Sequence, residues 1–71
     1  MFTLKKHINT KHGDTHCVES VSTFIFRLGL EDLAQEYKDY FKRFSFTRAE
    51  AQHVEKMVQK YGGDYILKPV D

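Results

Sequence analysis

Between Leu30 and Phe44 the side chains of Leu30, Leu33, Ala34, Tyr37, Tyr40, Phe41 and Phe44 recur at steps of three and four, the spacing that aligns one face of an α-helix. They fall within about 120° of the helix circumference, and the opposite face is charged or amide. Glu31, Asp32 and Glu36 occupy the first half and Lys38, Lys42 and Arg43 the second, an order that the helix dipole favours. The stripe predicts a helix over 30–44. After it, Thr47-Arg48-Ala49-Glu50 has the form of a capping box, and Ala51, Val54, Met57, Val58 and Tyr61 mark a second apolar stripe that Gly62 closes. Only Ser45 and Phe46 intervene, so the two predicted helices pack as antiparallel neighbours, stripe to stripe.

Upstream, Val18, Val21, Phe24, Ile25 and Leu28 fit a third helical stripe over Cys17 to Leu28, with Asp14 or Thr15 as its cap and Gly29 at its end. The run Val21 to Phe26 also suits a strand; the scarcity of strands to pair with it favours the helix. The first thirteen residues support two readings. Thr3 caps a helix ending at Lys11, His12 and Gly13, which is the preferred one; Phe2, Leu4 and Ile8 also alternate as in a strand, whose mate would be Asp64 to Val70. The expected fold is mainly α, a compact bundle of three to four helices with a short extended C-terminal tail. The alternative is three helices plus a small two-stranded ribbon of the N- and C-terminal segments. At 71 residues the chain has apolar material for one small domain, residues 1–71, and no second core.

That small size makes a staple desirable, and a lone cysteine, Cys17, excludes a disulfide within the chain. A single cysteine points to a reducing cell interior, the cytoplasm, that of a virus-infected host cell included. No run of 18 apolar residues is present to cross a bilayer, and Lys5, Lys6 and His7 break any leader-like start. Eleven basic against ten acidic side chains give a formal charge of +1, far from the field of a protein that binds nucleic acid by bulk charge.

Four metal-ligating residue types crowd the N-terminal quarter, His7, His12, His16 and Cys17, the imidazole and thiolate donors that zinc accepts. The stretch from Phe2 to His12, with Leu4 three residues before His7, resembles the helical half of a two-Cys, two-His zinc finger. The cysteine pair which that motif requires is not among these residues, so a polar segment bearing surface histidines is the favoured reading and a zinc-stabilised interaction domain a secondary one. Leu28-Gly29-Leu30, following Val18, Val21 and Phe24, resembles the opening of a sterile-alpha-motif domain, a fold that uses more chain than follows Cys17. Catalysis is not expected. Cys17 lies on an apolar stripe with no base fixed beside it, no phosphate loop or paired-carboxylate motif occurs, and Gly62-Gly63 follows a helix instead of opening one.

The expected function is therefore that of a small non-enzymatic regulatory or binding protein working through a protein surface, with another protein or a second copy of itself as partner and no membrane. Aromatic side chains left over once the stripes are buried mark that surface: Phe26, Tyr40, Phe46 and Tyr65. The alternative is a DNA- or RNA-binding regulator using basic patches at Lys5, Lys6 and Lys11 and at Lys42, Arg43 and Arg48. No cofactor is expected; zinc belongs only to the secondary reading.

Overall fold

The computed structural model describes residues 1–70. Its elements run β1 (Phe2–Thr10), β2 (Gly13–Glu19), α1 (Val21–Leu28), two short 3₁₀ turns (Glu31–Leu33 and Lys38–Tyr40), α2 (Arg48–Tyr61) and β3 (Tyr65–Pro69). The strands form one antiparallel sheet in the order β2-β1-β3. This is a small α/β fold of three strands and two helices, which overturns the helical bundle.

The N-terminal segment accounts for most of the correction. β1 is the central strand. It pairs with β3 from Phe2↔Pro69 to Lys6↔Tyr65, the ribbon of the alternative reading, and with β2 from Leu4↔Glu19 to Thr10↔Gly13. Two residues, Lys11 and His12, join β1 to β2, the loop length that antiparallel hairpins favour. Gly13, at φ 118°, supplies the backbone conformation that turn needs, so this glycine closes a hairpin instead of a helix. The Thr10 hydroxyl donates to the Gly13 carbonyl (2.5 Å) and accepts from the His12 N–H (3.2 Å). A strand alternates its side chains, so Leu4 points to the helices while Lys5 and His7 line the other, open face.

Helix α1 is shorter than the predicted 17–28 because Ser20, not Asp14 or Thr15, caps it: its hydroxyl accepts from the Thr23 N–H at 3.2 Å. Gly29 ends it as expected, left-handed at φ 67°. α2 follows its sequence signals closely. Thr47 accepts from the Glu50 N–H (3.3 Å), Glu50 accepts from the Thr47 N–H (2.9 Å), and the helix stops at Gly62.

The predicted helix over 30–44 is instead a chain of tight turns. Bonds to the residue three back run through it, from Leu33 N–H to Leu30 O (2.8 Å) through Tyr40 N–H to Tyr37 O (3.2 Å) to Arg43 N–H to Tyr40 O (3.2 Å). Tertiary contacts hold these turns in place. Tyr37 and Tyr40 lie edge-on to one another (centroids 6.0 Å apart, planes at 70°), and both meet the same residue of α2, His53. Aromatic and aspartate residues, with modest helix propensity, offer little resistance.

The core lies on one side of the sheet. Leu4, Val21, Phe24, Ile25, Phe46 and Val54 are fully buried, with Tyr37, Tyr40, Ala51, Met57, Val58 and Tyr65 around them. Each large apolar side chain so buried contributes about 1.5–3 kcal/mol. Phe46 extends the sheet as it buries its ring, exchanging two backbone bonds of 2.8 Å with Phe2.

Candidate functional site

Two polar clusters sit at the boundary of this core. In the first, Glu19, buried at the end of β2, accepts from the Tyr65 hydroxyl (2.7 Å) and the Arg27 guanidinium (2.9 Å). Burial, and then the bond to Glu19, push the Tyr65 phenol up to about 12; the Glu19 charge holds Arg27 protonated more firmly still. A buried carboxylate with two donors is satisfied, and the cluster ties β2, α1 and β3 together.

In the second cluster, Tyr40 hydrogen-bonds to Nδ1 of His53, whose Nε2 lies 3.3 Å from Glu36 Oε1. Tyr37 stacks on the imidazole, centroids 4.4 Å apart, and donates to the His53 carbonyl at 3.4 Å. Hydroxyl, imidazole and carboxylate in that order have the connectivity of a nucleophile, a base and its orienting group. The rest of the geometry departs from that of an activated nucleophile. The Tyr40 residue is 7% exposed. Burial, then the Glu50 and Glu36 charges, raise its pKa, opposite to the change that activates a nucleophile. The neighbouring cavity, about 170 Å³, is lined by Leu33, Glu36, Tyr37, Lys56, Met57, Lys60 and Tyr61 and does not include Tyr40 or His53. This cluster clamps the turns of 30–44 onto α2.

Of the four aromatic residues expected at the surface, one stands there. Phe26 is 66% exposed, projecting from α1 with its ring edge-on to the half-buried Phe41 (centroids 6.3 Å apart, planes at 67°). Tyr40, Phe46 and Tyr65 are inside the core. They lacked partners in a reading made of helical stripes; the sheet and the Glu19 and His53 clusters provide them. Phe44, three residues beyond Phe41, is 56% exposed although it continued the predicted stripe, because the turns release the chain from helical phase before reaching it.

The basic residues of the N-terminal patch are not gathered on one surface. Lys5 and Lys6 point to opposite faces of β1, and Lys11 sits in the hairpin turn. Arg43 makes a two-pronged ion pair with Glu50 (2.8 and 2.9 Å), which lowers the Glu50 pKa, while Lys42 and Arg48 remain exposed. The N-terminal donors are not gathered either. His7 and His16 stand side by side across the strands, ring centroids 5.2 Å apart, and Asp14 reaches His7 Nε2 at 3.3 Å. Cys17 belongs to the other face and His12 to the turn. Among the described residues no group of three or more His, Cys, Asp or Glu side chains is placed to hold a metal ion.

Sequence reasoning missed Glu19, Arg27, Glu36 and His53. The one local signal was His53 beside the Ala51/Val54/Met57 stripe, an amphipathic ring at the margin of an apolar face. Among the described residues no helix is long and apolar enough to cross a membrane. Comparison with known proteins gives no matching family model, curated protein or solved structure.

Proposed function

We propose that this chain is a non-enzymatic binding protein that receives a partner protein on the aromatic surface of Phe26 and Phe41. The observation that supports this reading is the exposure of Phe26. The other phenylalanines of the sheet and of α1 turn at least partly inward, yet this ring stays in solvent against Phe41. Leaving a phenylalanine outside forgoes about 1.5–3 kcal/mol of burial, which a partner recovers by covering it, and aromatic anchors of this type dominate interface energies. Ser22, Thr23, Arg27 and Lys42 are polar residues adjoining these two rings in sequence or helical position, the composition of an interface rim.

The test is affinity capture from native cell extract with the wild-type protein and with Phe26→Ser, both checked by circular dichroism. A companion protein retained by the wild type and lost from a variant with an unchanged spectrum supports the reading. Identical companions for both overturn it, as does binding to DNA or RNA that weakens steeply between low and physiological salt.

A further inference from the structure

The sheet has two edges, and they differ in chemistry. The His7 N–H donates to the Asp64 carbonyl (2.7 Å) and the Val70 N–H to the Met1 carbonyl (2.8 Å), so odd-numbered residues of β1 direct their backbone groups toward β3. Antiparallel alternation then turns the even-numbered ones toward β2. On β3, the register assigns Ile66 and Lys68 to β1 and leaves Tyr65, Leu67 and Pro69 facing outward. Among the described residues that edge keeps one open N–H, at Leu67, since Pro69 has no N–H and the Tyr65 N–H is taken by the Gly62 carbonyl at 3.0 Å.

The β2 edge carries no such protection. Gly13, Thr15, Cys17 and Glu19 face β1, leaving Asp14, His16 and Val18 to present three N–H and three C=O groups outward. Among the described residues only the Val18 carbonyl has a contact, the Cys17 thiol at 3.7 Å. Residues 13–18 are exposed and contain neither proline nor lysine. Such an edge accepts an added strand.

We propose that the added strand is β2 of a second copy, paired antiparallel about a two-fold axis at Thr15. A symmetric ladder needs outward-facing residues to meet outward-facing residues, and the axes that pair at least two of Asp14, His16 and Val18 among themselves are those at Thr15, His16 and Cys17. An axis at His16 sets Asp14 against Val18 and the two imidazoles against each other. An axis at Cys17 sets His16 against Val18 and Asp14 against Ser20. The axis at Thr15 alone sets the Asp14 carboxylate against the His16 imidazole, and does so twice, with Thr15 facing Thr15 between them. In each copy Asp14 and His16 already share the open face with His7, so the pairing continues a cluster present in the single chain. The product is one six-stranded antiparallel sheet, independent of the Phe26 surface.

The register makes the test specific. Thr15 faces its own copy at a non-hydrogen-bonded position, where Cα atoms stand about 4.5 Å apart, within the disulfide range of about 4.4–6.8 Å; Cys17 faces Gly13. With oxidised glutathione as oxidant, Thr15→Cys in a Cys17→Ser background yields a covalent dimer on a non-reducing gel, and the wild-type chain does not. In sedimentation equilibrium the wild type shows a reversible dimer that His16→Pro abolishes. That substitution removes an N–H directed away from β1, and circular dichroism verifies that the variant folds. A wild-type chain that stays monomeric at millimolar concentration overturns the proposal, and so does a covalent dimer formed through Cys17 while the Thr15→Cys chain forms none.

Discussion

Replacing Gly62 by alanine destabilises this protein, although the backbone there suits any residue. Gly62 ends α2 at φ −110°, so alanine meets no conformational strain and, by restricting the unfolded chain, would stabilise by about 0.4–1 kcal/mol. The obstacle is Phe24. A Cβ at position 62 stands 2.5 Å from Phe24 Cε2, 2.9 Å from Cζ and 3.3 Å from the Tyr65 Cβ. The ring has little freedom to retreat, because it is fully buried and lies edge-on to Tyr65, centroids 4.6 Å apart, and Tyr65 is fixed by its bond to Glu19. Forcing a methyl into a filled core costs about 1–3 kcal/mol. The clash outweighs the entropy gain, for a net loss of roughly 1–2 kcal/mol, or about 5–15 °C in melting temperature at this size. The neighbouring Gly63 has neither a positive φ nor any atom within 4 Å of its Cβ, so Gly63→Ala gains about 0.4–1 kcal/mol. Thermal unfolding followed by circular dichroism compares the two. The reasoning is refuted if Gly62→Ala melts at or above the wild type, or if Phe24→Leu combined with Gly62→Ala costs the full sum of the single changes, since a smaller ring should relieve the clash.

Tyr65→Phe removes one of two donors to the buried Glu19 and lowers stability by roughly 1.5–3 kcal/mol, measured by urea unfolding. Tyr37 and Tyr65 have folded-state pKa values raised to about 12, above their unfolded value near 10. Their contribution is full below about pH 10 and is lost as pH rises through the folded values; a spectrophotometric titration shows these phenols ionising late, and the melting temperature falls over the same range. Thr47→Ala opens the capping box of α2 and costs about 0.5–2 kcal/mol by thermal unfolding. His53→Ala leaves the Tyr40 hydroxyl buried without its partner, costing about 1–3 kcal/mol, and near-ultraviolet circular dichroism reports the loosening of Tyr37 and Tyr40.

What was legible in the chain was what a few neighbouring residues decide. The α2 capping box and its stop at Gly62, and the left-handed end of α1 at Gly29, each lie within one turn and came through intact. The β1–β3 ribbon was visible only as an alternative, because Phe2, Leu4 and Ile8 fit two periods. β2 was hidden altogether: residues 13–18 are exposed, so no buried face imposes alternation on them, and their strand form comes from backbone bonds to β1. The exposed aromatic residues were over-counted for a related reason. Tyr40 and Tyr65 carry hydroxyls that need partners when buried, and those partners, His53 and Glu19, lie 13 and 46 residues away.

The amino-acid sequence by itself determined the α2 stripe, its caps and the inward-turned side chains of α1, since each depends on torsions and hydrogen bonds closed within a few residues. The tertiary structure alone decided that 30–44 winds as 3₁₀ turns over His53, that the N-terminal third becomes a hairpin, and that Phe26 remains outside while Phe46 does not. A spacing of three and four residues suits more than one winding, and the contact that selects between them is made by a residue remote along the chain.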